Sequence, residues 1–352
     1  MVDRRIGHAV IGCGRVAPNH ADAFRQLPAW EILWACDVEP GSALRFAQEQ
    51  GIPNATESVE EVLADPTVVS VSIAVDHAMH APLAEAALSA GKHVLVEKPL
   101  AVSLADGERV TKLAADRGLI LSTVSQHRYD PLVSAVHGWI REGLLGRLLY
   151  SQVSLEARRE PEYYSDSNWR GTWSGEGGSA LINQGYHCLD VARYLLGDME
   201  VQTAVAASGG RGGLMETEDS LSALLLAGDT PITLHVTVAS TATWRTRVTI
   251  VGTEGTLEFD LDHPGKLHRC SGNPELERLA ELERQRSMTE EPPGINYYGV
   301  SHRRQIEDFG RAVQTGSALR FGPDVGLGMV ALLEEIYQAT GLRAARSRVK
   351  SS

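Results

Sequence analysis

Cysteine is scarce in this sequence: four residues, at positions 13, 36, 188 and 270. None forms a CxxC pair, which excludes a zinc ribbon and a disulfide framework. No apolar run reaches the roughly 18 residues that a membrane helix needs. The opening MVDRRIGHAVIGCG runs straight into a glycine turn without an apolar signal core, so a cytoplasmic protein is expected. Positive charge is also in short supply. Lys and Arg total 33 against 45 Asp and Glu, a net charge of −12, which argues against nucleic acid or an anionic membrane as partner and is compatible with a cationic ligand. No internal repeat is evident, and the histidines lack a spacing such as H-E-x-x-H, so no metal is expected. What is present is an ordinary globular composition, 43% hydrophobic and 22% charged, in 352 residues, enough for one large or two ordinary domains.

The first 125 residues alternate short apolar runs with alanine-rich amphipathic stretches. HAVIGCG (8–14), EILWACD (31–37), VVSVSIAV (68–75), HVLVEK (93–98) and LILSTVS (119–125) read as strands, with helices over 81–90 and 103–117 among the segments between them. Strands alternating with helices imply a doubly wound parallel sheet. After Asp130-Pro131 the pattern changes. A helix over 132–142, a strand over 148–157, a glycine-rich loop and a helix over 184–196 are followed by consecutive strands from 201 to 260. These predict an α+β domain with a large open, mostly antiparallel sheet. The expected division is 1–125 and 126–352, with the last helix (326–342) packing back on the first domain. Residues 273–293, charged and bounded by proline, read as a surface excursion.

Gly12-Cys13-Gly14-Arg15-Val16-Ala17 fits G-x-G-x-x-G/A after a strand and at the start of a helix. The first glycine permits the tight turn, the second lets backbone approach a pyrophosphate, and the small sixth residue lets helix pack on strand. Asp37 ends the next strand, 20 residues after Ala17. A carboxylate there accepts from ribose hydroxyls and repels a 2′-phosphate, and its neighbours Cys36 and Val38 are not basic. NAD is therefore expected rather than NADP.

The stretch AGKHVLVEKPLAVSLADG (90–107) resembles the Gfo/Idh/MocA family of sugar and inositol oxidoreductases. SQHRYDP (125–131), GLLGRL (143–148), EGGSALINQGYHCLDVARYLLG (176–197), ETEDS (216–220) and VGTEGTLEFD (251–260) extend the likeness over nearly the whole chain. WRGTW (169–173), NQGYH (183–187) and YYGVSHRRQIEDF (297–309) look most like the branch that oxidises C3 of nucleotide-linked sugars, to which antibiotic-pathway enzymes are related. The resemblance implies dimers or tetramers joined through the open sheets. It also implies cofactor contacts from Gly12, Gly14, Arg15, Val16, Asp37, Ala74, Val75, His77, His80, Glu97, Lys98, Gln126, Trp169 and Arg170. Substrate contacts would come from Lys98, Arg128, Trp169, Asn183, His187, Tyr298 and His302. Two departures stand out: Val75-Asp76 replaces a frequent Thr-Pro, and Asn183 occupies a position often held by aspartate.

Oxidising a secondary alcohol needs a base for the hydroxyl proton and a donor or cation for developing oxyanion character. Lys98, at the carboxyl edge of the sheet, supplies an ammonium whose pKa desolvation should lower. His187 titrates near neutral pH. Asn183 and Asp190 are expected on its helical face, with Asp190 orienting the ring or pairing with Arg193. Tyr186 competes as acid–base group. Arg128 either holds substrate or forms a salt bridge. The functions implied are a sugar C3 dehydrogenase or ketoreductase acting on nucleotide sugars or aminoglycosides, an inositol dehydrogenase, an NAD-using glycosidase, or a cofactor-binding regulator without chemistry.

Overall fold

The computed structural model describes residues 5–208, 213–262, 265–290 and 295–342, the side chains of 288–290 and 295–299 excepted. Two compact units are present. The first comprises residues 1–126 together with 298–330, the second 127–297 together with 331–352.

The first unit is built on β1 (Ile6–Ile11), β2 (Trp30–Cys36), β3 (Asn54–Thr56), β4 (Val68–Ile73), β5 (His93–Val96) and β6 (Leu121–Thr123). They pair in parallel in the order β3-β2-β1-β4-β5-β6. Central strands of such a sheet are covered on both faces, which is why β1, β4 and β5 are nearly continuous apolar runs. The intervening helices begin and end where local chemistry permits. In Leu104–Arg117, the Ser103 side chain accepts from the Asp106 amide and Gly118, at φ 62°, ends the helix. Residues 298–330 belong to this unit because Ile306 and Phe309 pack with Phe24, Trp30, Leu95 and Val124, and Val330 joins the core around Val71, Ile73 and Val94. The sequence reading missed β3, a three-residue edge strand without an apolar run.

The second unit carries β7 (Leu148–Arg158), β8 (Glu200–Ala207), β9 (Ser220–Ala227), β10 (Thr230–Thr237), β11 (Ala239–Gly252), β12 (Gly255–Phe259) and β13 (Leu267–Gly272). Their order is β13-β12-β11-β7-β10-β9-β8. Every pair is antiparallel except β7 with β10, which run parallel with Ile232 opposite Ser151. Burial alternates along β9 and β10, so one face is core. The helix Tyr186–Leu196 packs on β7 and β11 through that face, burying Cys188, Leu189, Val191, Ala192 and Leu195. The segment expected as a surface excursion contains the helix Pro274–Glu290. It lacks a broad apolar stripe, and i,i+3 pairs such as Arg278–Glu275 and Arg286–Glu283 line it instead. Residues 291–293 of that excursion lie outside the described residues. Among the described residues, no helix is long and apolar enough to cross a membrane.

Candidate active site

The strand order of the first sheet reverses between β1 and β4, and open α/β sheets bind ligands beyond the carboxyl ends of the strands at such a point. The glycine loop lies there. Gly12 adopts φ 90°, and a side chain on it would collide with the Ala74 carbonyl at the end of β4. Gly14 is exposed with open space around its missing side chain, so its backbone is free to be approached closely. Val16 precedes the helix Ala17–Arg25, whose first amides have no side-chain cap. Asp37 accepts from the Cys13 amide at 2.7 Å and from the Glu39 amide at 2.9 Å, which fixes the carboxylate beside the loop. Glycine loop, open helix start and fixed carboxylate fit a dinucleotide pyrophosphate and its ribose. Arg15 is exposed beside them. Burial, then the Asp37 charge, pushes the Cys13 thiol up to about 12, so this cysteine is not a nucleophile.

Next to this loop runs a buried polar chain that sequence reasoning did not find. His8 Nδ1 meets Ser70 Oγ at 2.7 Å and His8 Nε2 meets Ser72 Oγ at 3.0 Å. Ser72 Oγ meets His20 Nδ1 at 3.0 Å, and His20 Nε2 reaches Glu97 Oε1 at 3.0 Å. Glu97 Oε1 also receives His302 Nε2 at 3.2 Å. Burial holds His8 and His20 below the ordinary histidine range and therefore neutral. One proton assignment then satisfies every contact from Ser70 to Glu97. Each histidine donates through Nε2 and accepts at Nδ1, and each serine hydroxyl donates to the next Nδ1. Burial favours the protonated form of Glu97, but the bonds from His20 and His302 outweigh it and hold the carboxyl well below its usual range. The ligand atoms of His20, Glu97 and His302 lie within 4.8 Å of one another, a spacing that could suit a metal, yet this chain already accounts for both Nε2 atoms. Glu97 Oε2 in turn accepts the Lys98 amide at 3.3 Å. His302, expected at the substrate, is 1% exposed and holds Glu97.

Lys98 itself is half-buried. His80 ties down the residue after it: Nδ1 faces the Pro99 carbonyl at 2.6 Å while Nε2 faces the Val75 carbonyl at 3.1 Å. Burial lowers the His80 pKa despite these carbonyls, so a neutral ring donates along the shorter contact. His77 is buried at the start of the helix His77–Ser89, its ring 5.6 Å from that of His80. Gln126 is buried in the turn Gln126–Tyr129.

In the second unit the helix expected over 184–196 starts differently. Residues Ala180–Gly185 form a π-helical turn and the α-helix begins at Tyr186. The wider turn breaks the four-residue spacing, so Asn183 is turned to the Tyr163 hydroxyl (3.2 Å) and to Glu176. Glu218 caps the turn: its carboxylate accepts from the Ser179 amide at 3.0 Å, the Leu181 amide at 3.0 Å and the Tyr337 hydroxyl at 2.8 Å. Burial outweighs these donors and raises the Glu218 pKa to about 6. Gly178, at φ 148°, lets the chain pass against Tyr337.

His187 is half-buried, whereas Tyr186 beside it is fully buried. The His187 ring lies 5.1 Å edge-to-face from His127, whose Nδ1 is 2.7 Å from Asp130 Oδ2. Asp190 pairs with Arg128 through contacts of 2.6 and 2.9 Å, both side chains buried, while Arg193 pairs with Asp198. Asp190 is thus committed to Arg128, where the sequence left it either orienting the His187 ring or pairing with Arg193. Trp169 and Arg170 are half-buried, and their amides share Ser167 Oγ as acceptor. The side chain of Tyr298 lies outside the described residues.

Comparison with known proteins matches residues 6–125 to the model of an oxidoreductase family with NAD-binding Rossmann fold, and residues 133–258 to the GFO/IDH/MocA C-terminal domain. The chain is 31% identical over 266 residues to dTDP-3,4-didehydro-2,6-dideoxy-alpha-D-glucose 3-reductase of Streptomyces violaceoruber, covering 73% of this chain and 72% of that one. The WlbA dehydrogenase from Bordetella pertussis, solved with NADH and UDP-GlcNAcA, superposes with TM-score 0.84 at 25% identity over 97% of this chain and 96% of that one. GenD2 from gentamicin A biosynthesis, solved with NAD, gives TM-score 0.78 at 25% identity over 96% and 95%.

Proposed function

Because the chain belongs to the Gfo/Idh/MocA family and is an NAD-dependent oxidoreductase acting on CH–OH groups, we propose that it works at ring C3 of a sugar, in nucleotide-sugar or aminoglycoside metabolism. The observation that carries this reading is Lys98, set directly after an anchored carboxylate at the carboxyl edge of the parallel sheet.

The loop of Gly12, Gly14, Arg15 and Val16, with Asp37, holds the dinucleotide; Ala74, Val75, His77, His80, Glu97, Gln126, Trp169 and Arg170 complete its surroundings. Bound NAD takes up or supplies the hydride. Lys98 donates to the substrate oxygen and steadies its developing charge. His187 removes the hydroxyl proton on oxidation and returns it on reduction. Asn183 supplies a polar contact to the substrate. Tyr186 is the weaker acid–base candidate, because its side chain is fully buried. The outward residues Tyr150, Val205 and Leu224 support a homodimer or homotetramer formed through the open sheet. We place the enzyme in the cytoplasm, where its dinucleotide is supplied.

The test is NADH formation against nucleotide sugars, aminoglycosides and inositols. With the responding substrate, Lys98→Met and His187→Asn should each lose at least ~10²-fold in kcat and bind NAD as the parent does. If His187→Asn keeps its kcat while Tyr186→Phe is inactive, the base is Tyr186. A response to inositols alone replaces the C3-sugar reading.

A further inference from the structure

Carboxylates outnumber basic side chains in this sequence, 45 to 33, yet Arg159 and Arg170 of the second unit direct their side-chain hydrogen bonds to an amide oxygen and a carbonyl rather than to a carboxylate. The Arg159 guanidinium lies 5.2 Å over the Tyr163 ring and 5.2 Å over the Trp244 ring. The Arg170 guanidinium lies 4.4 Å over the same Tyr163 ring. Both Nε atoms are buried without an acceptor. Each guanidinium has five N–H donors. Arg159 spends one on Gln184 Oε1 at 2.5 Å, and Arg170 spends one on the Tyr163 carbonyl at 3.4 Å. Two cations drawn to one ring repel each other, and the arrangement is relieved when anions meet them.

Arg170 is already among the residues proposed above to surround the dinucleotide. Arg159 is not, and its one side-chain hydrogen bond leads to Gln184, three residues before His187. Its guanidinium sits over two aromatic rings, and a guanidinium fork suits bidentate recognition of a carboxylate or phosphate. We infer that Arg159 seats an anionic group of the substrate, so that the accepted sugar carries a carboxylate or a phosphate and a polyamine sugar is disfavoured. The inference rests on the reading of His187 as the group that meets the sugar, and it narrows that reading to one substrate class.

The experiment is calorimetric titration of the full chain, loaded with NADH, with UDP-glucuronate, UDP, glucuronate, methyl glucoside and the aminoglycoside neamine. The expected result is UDP-glucuronate binding at least tenfold tighter than methyl glucoside or neamine, with Arg159→Gln losing at least tenfold for it and keeping its affinity for NADH. UDP and glucuronate then show which anion is seated. Arg159→Lys, which keeps the charge and loses the fork, should fall between and replaces the Gln variant should that variant fail to fold. Equal affinity for methyl glucoside or neamine, no binding of any anion, or unchanged binding by Arg159→Gln overturns the seat. A loss of NADH affinity with anion binding intact assigns Arg159 to the cofactor and also overturns it. NADH formation separates the two claims. A sugar oxidised independently of Arg159 leaves the function and removes the seat; anions bound through Arg159 with no oxidation of any sugar do the reverse.

Discussion

Replacing Glu218 by glutamine should remove a pH dependence. Burial raises this carboxyl from 4.5 to about 6 in the folded chain. The folded state therefore holds a proton that the unfolded chain releases, so stability falls as pH rises between those values and levels off above them. A shift of about 1.5 units corresponds to roughly 2 kcal/mol. Glutamine does not titrate. Its oxygen, at the Oε1 position, keeps the bonds from the Ser179 amide, the Leu181 amide and the Tyr337 hydroxyl, while its NH2 replaces Oε2, which accepts from the Ser179 amide at 3.2 Å, and sets N–H against N–H at a cost of about 1 kcal/mol at every pH. Near pH 4.5 the variant should thus be less stable than the parent by about 1 kcal/mol, and above pH 6 more stable by about the same amount. Urea unfolding followed by tryptophan fluorescence measures the swing, and Trp173, edge-on to Tyr337 at 5.6 Å, is a local reporter. A difference that stays constant with pH, or grows in favour of the variant as pH falls, would refute the assignment of burial as the dominant influence on Glu218.

Asp37 should give the opposite specificity lesson: the parent should bind NAD at least about tenfold more tightly than NADP, ~1.4 kcal/mol, and Asp37→Ser should narrow that ratio in calorimetry. Glu97→Gln tests the buried chain in the acid range. A depressed carboxyl stabilises above its ordinary pKa and loses that contribution as pH falls through the folded value, so the parent's melting temperature should drop more steeply below pH 4.5 than the variant's. Parallel curves would show that the anion of Glu97 is not held by His20 and His302. Arg128→Met strands the buried Asp190 and should cost about 3–5 kcal/mol, most of it recovered in the double variant Arg128→Met/Asp190→Leu. A single variant as stable as the parent contradicts the pairing.

Sequence patterning revealed what depends on neighbours along the chain. The glycine loop, the carboxylate at the end of β2, the alternation of β9 and β10 and the helix of His187 all follow local rules. Contacts between distant residues were not legible. His20 and Glu97 are separated by 77 positions, and His302 and Glu97 by 205. The one available hint was polar Ser70 and Ser72 inside an otherwise apolar central strand, where a hydroxyl needs a partner. The π-helical turn was invisible for another reason. Its cause is the cap from Glu218, which lies beyond the following helix and β8, so propensity over 180–196 could only suggest an ordinary helix. Arg159 carried no motif at all; only its aromatic neighbours mark it.

The parallel pairing of β7 with β10 has an evolutionary consequence. Parallel neighbours cannot be joined by a tight turn, so the chain leaves the sheet after Arg158 and re-enters it at the edge with Glu200 of β8, from which β8, β9 and β10 run back to β7. That obligatory detour contains Arg159, Tyr163, Trp169, Asn183 and His187. Its loops can lengthen, shorten or change composition while the ladder between Ser151 and Ile232 stays in register. Substrate choice in this architecture can therefore diversify by insertion and deletion within one excursion, leaving the dinucleotide-binding unit unaltered.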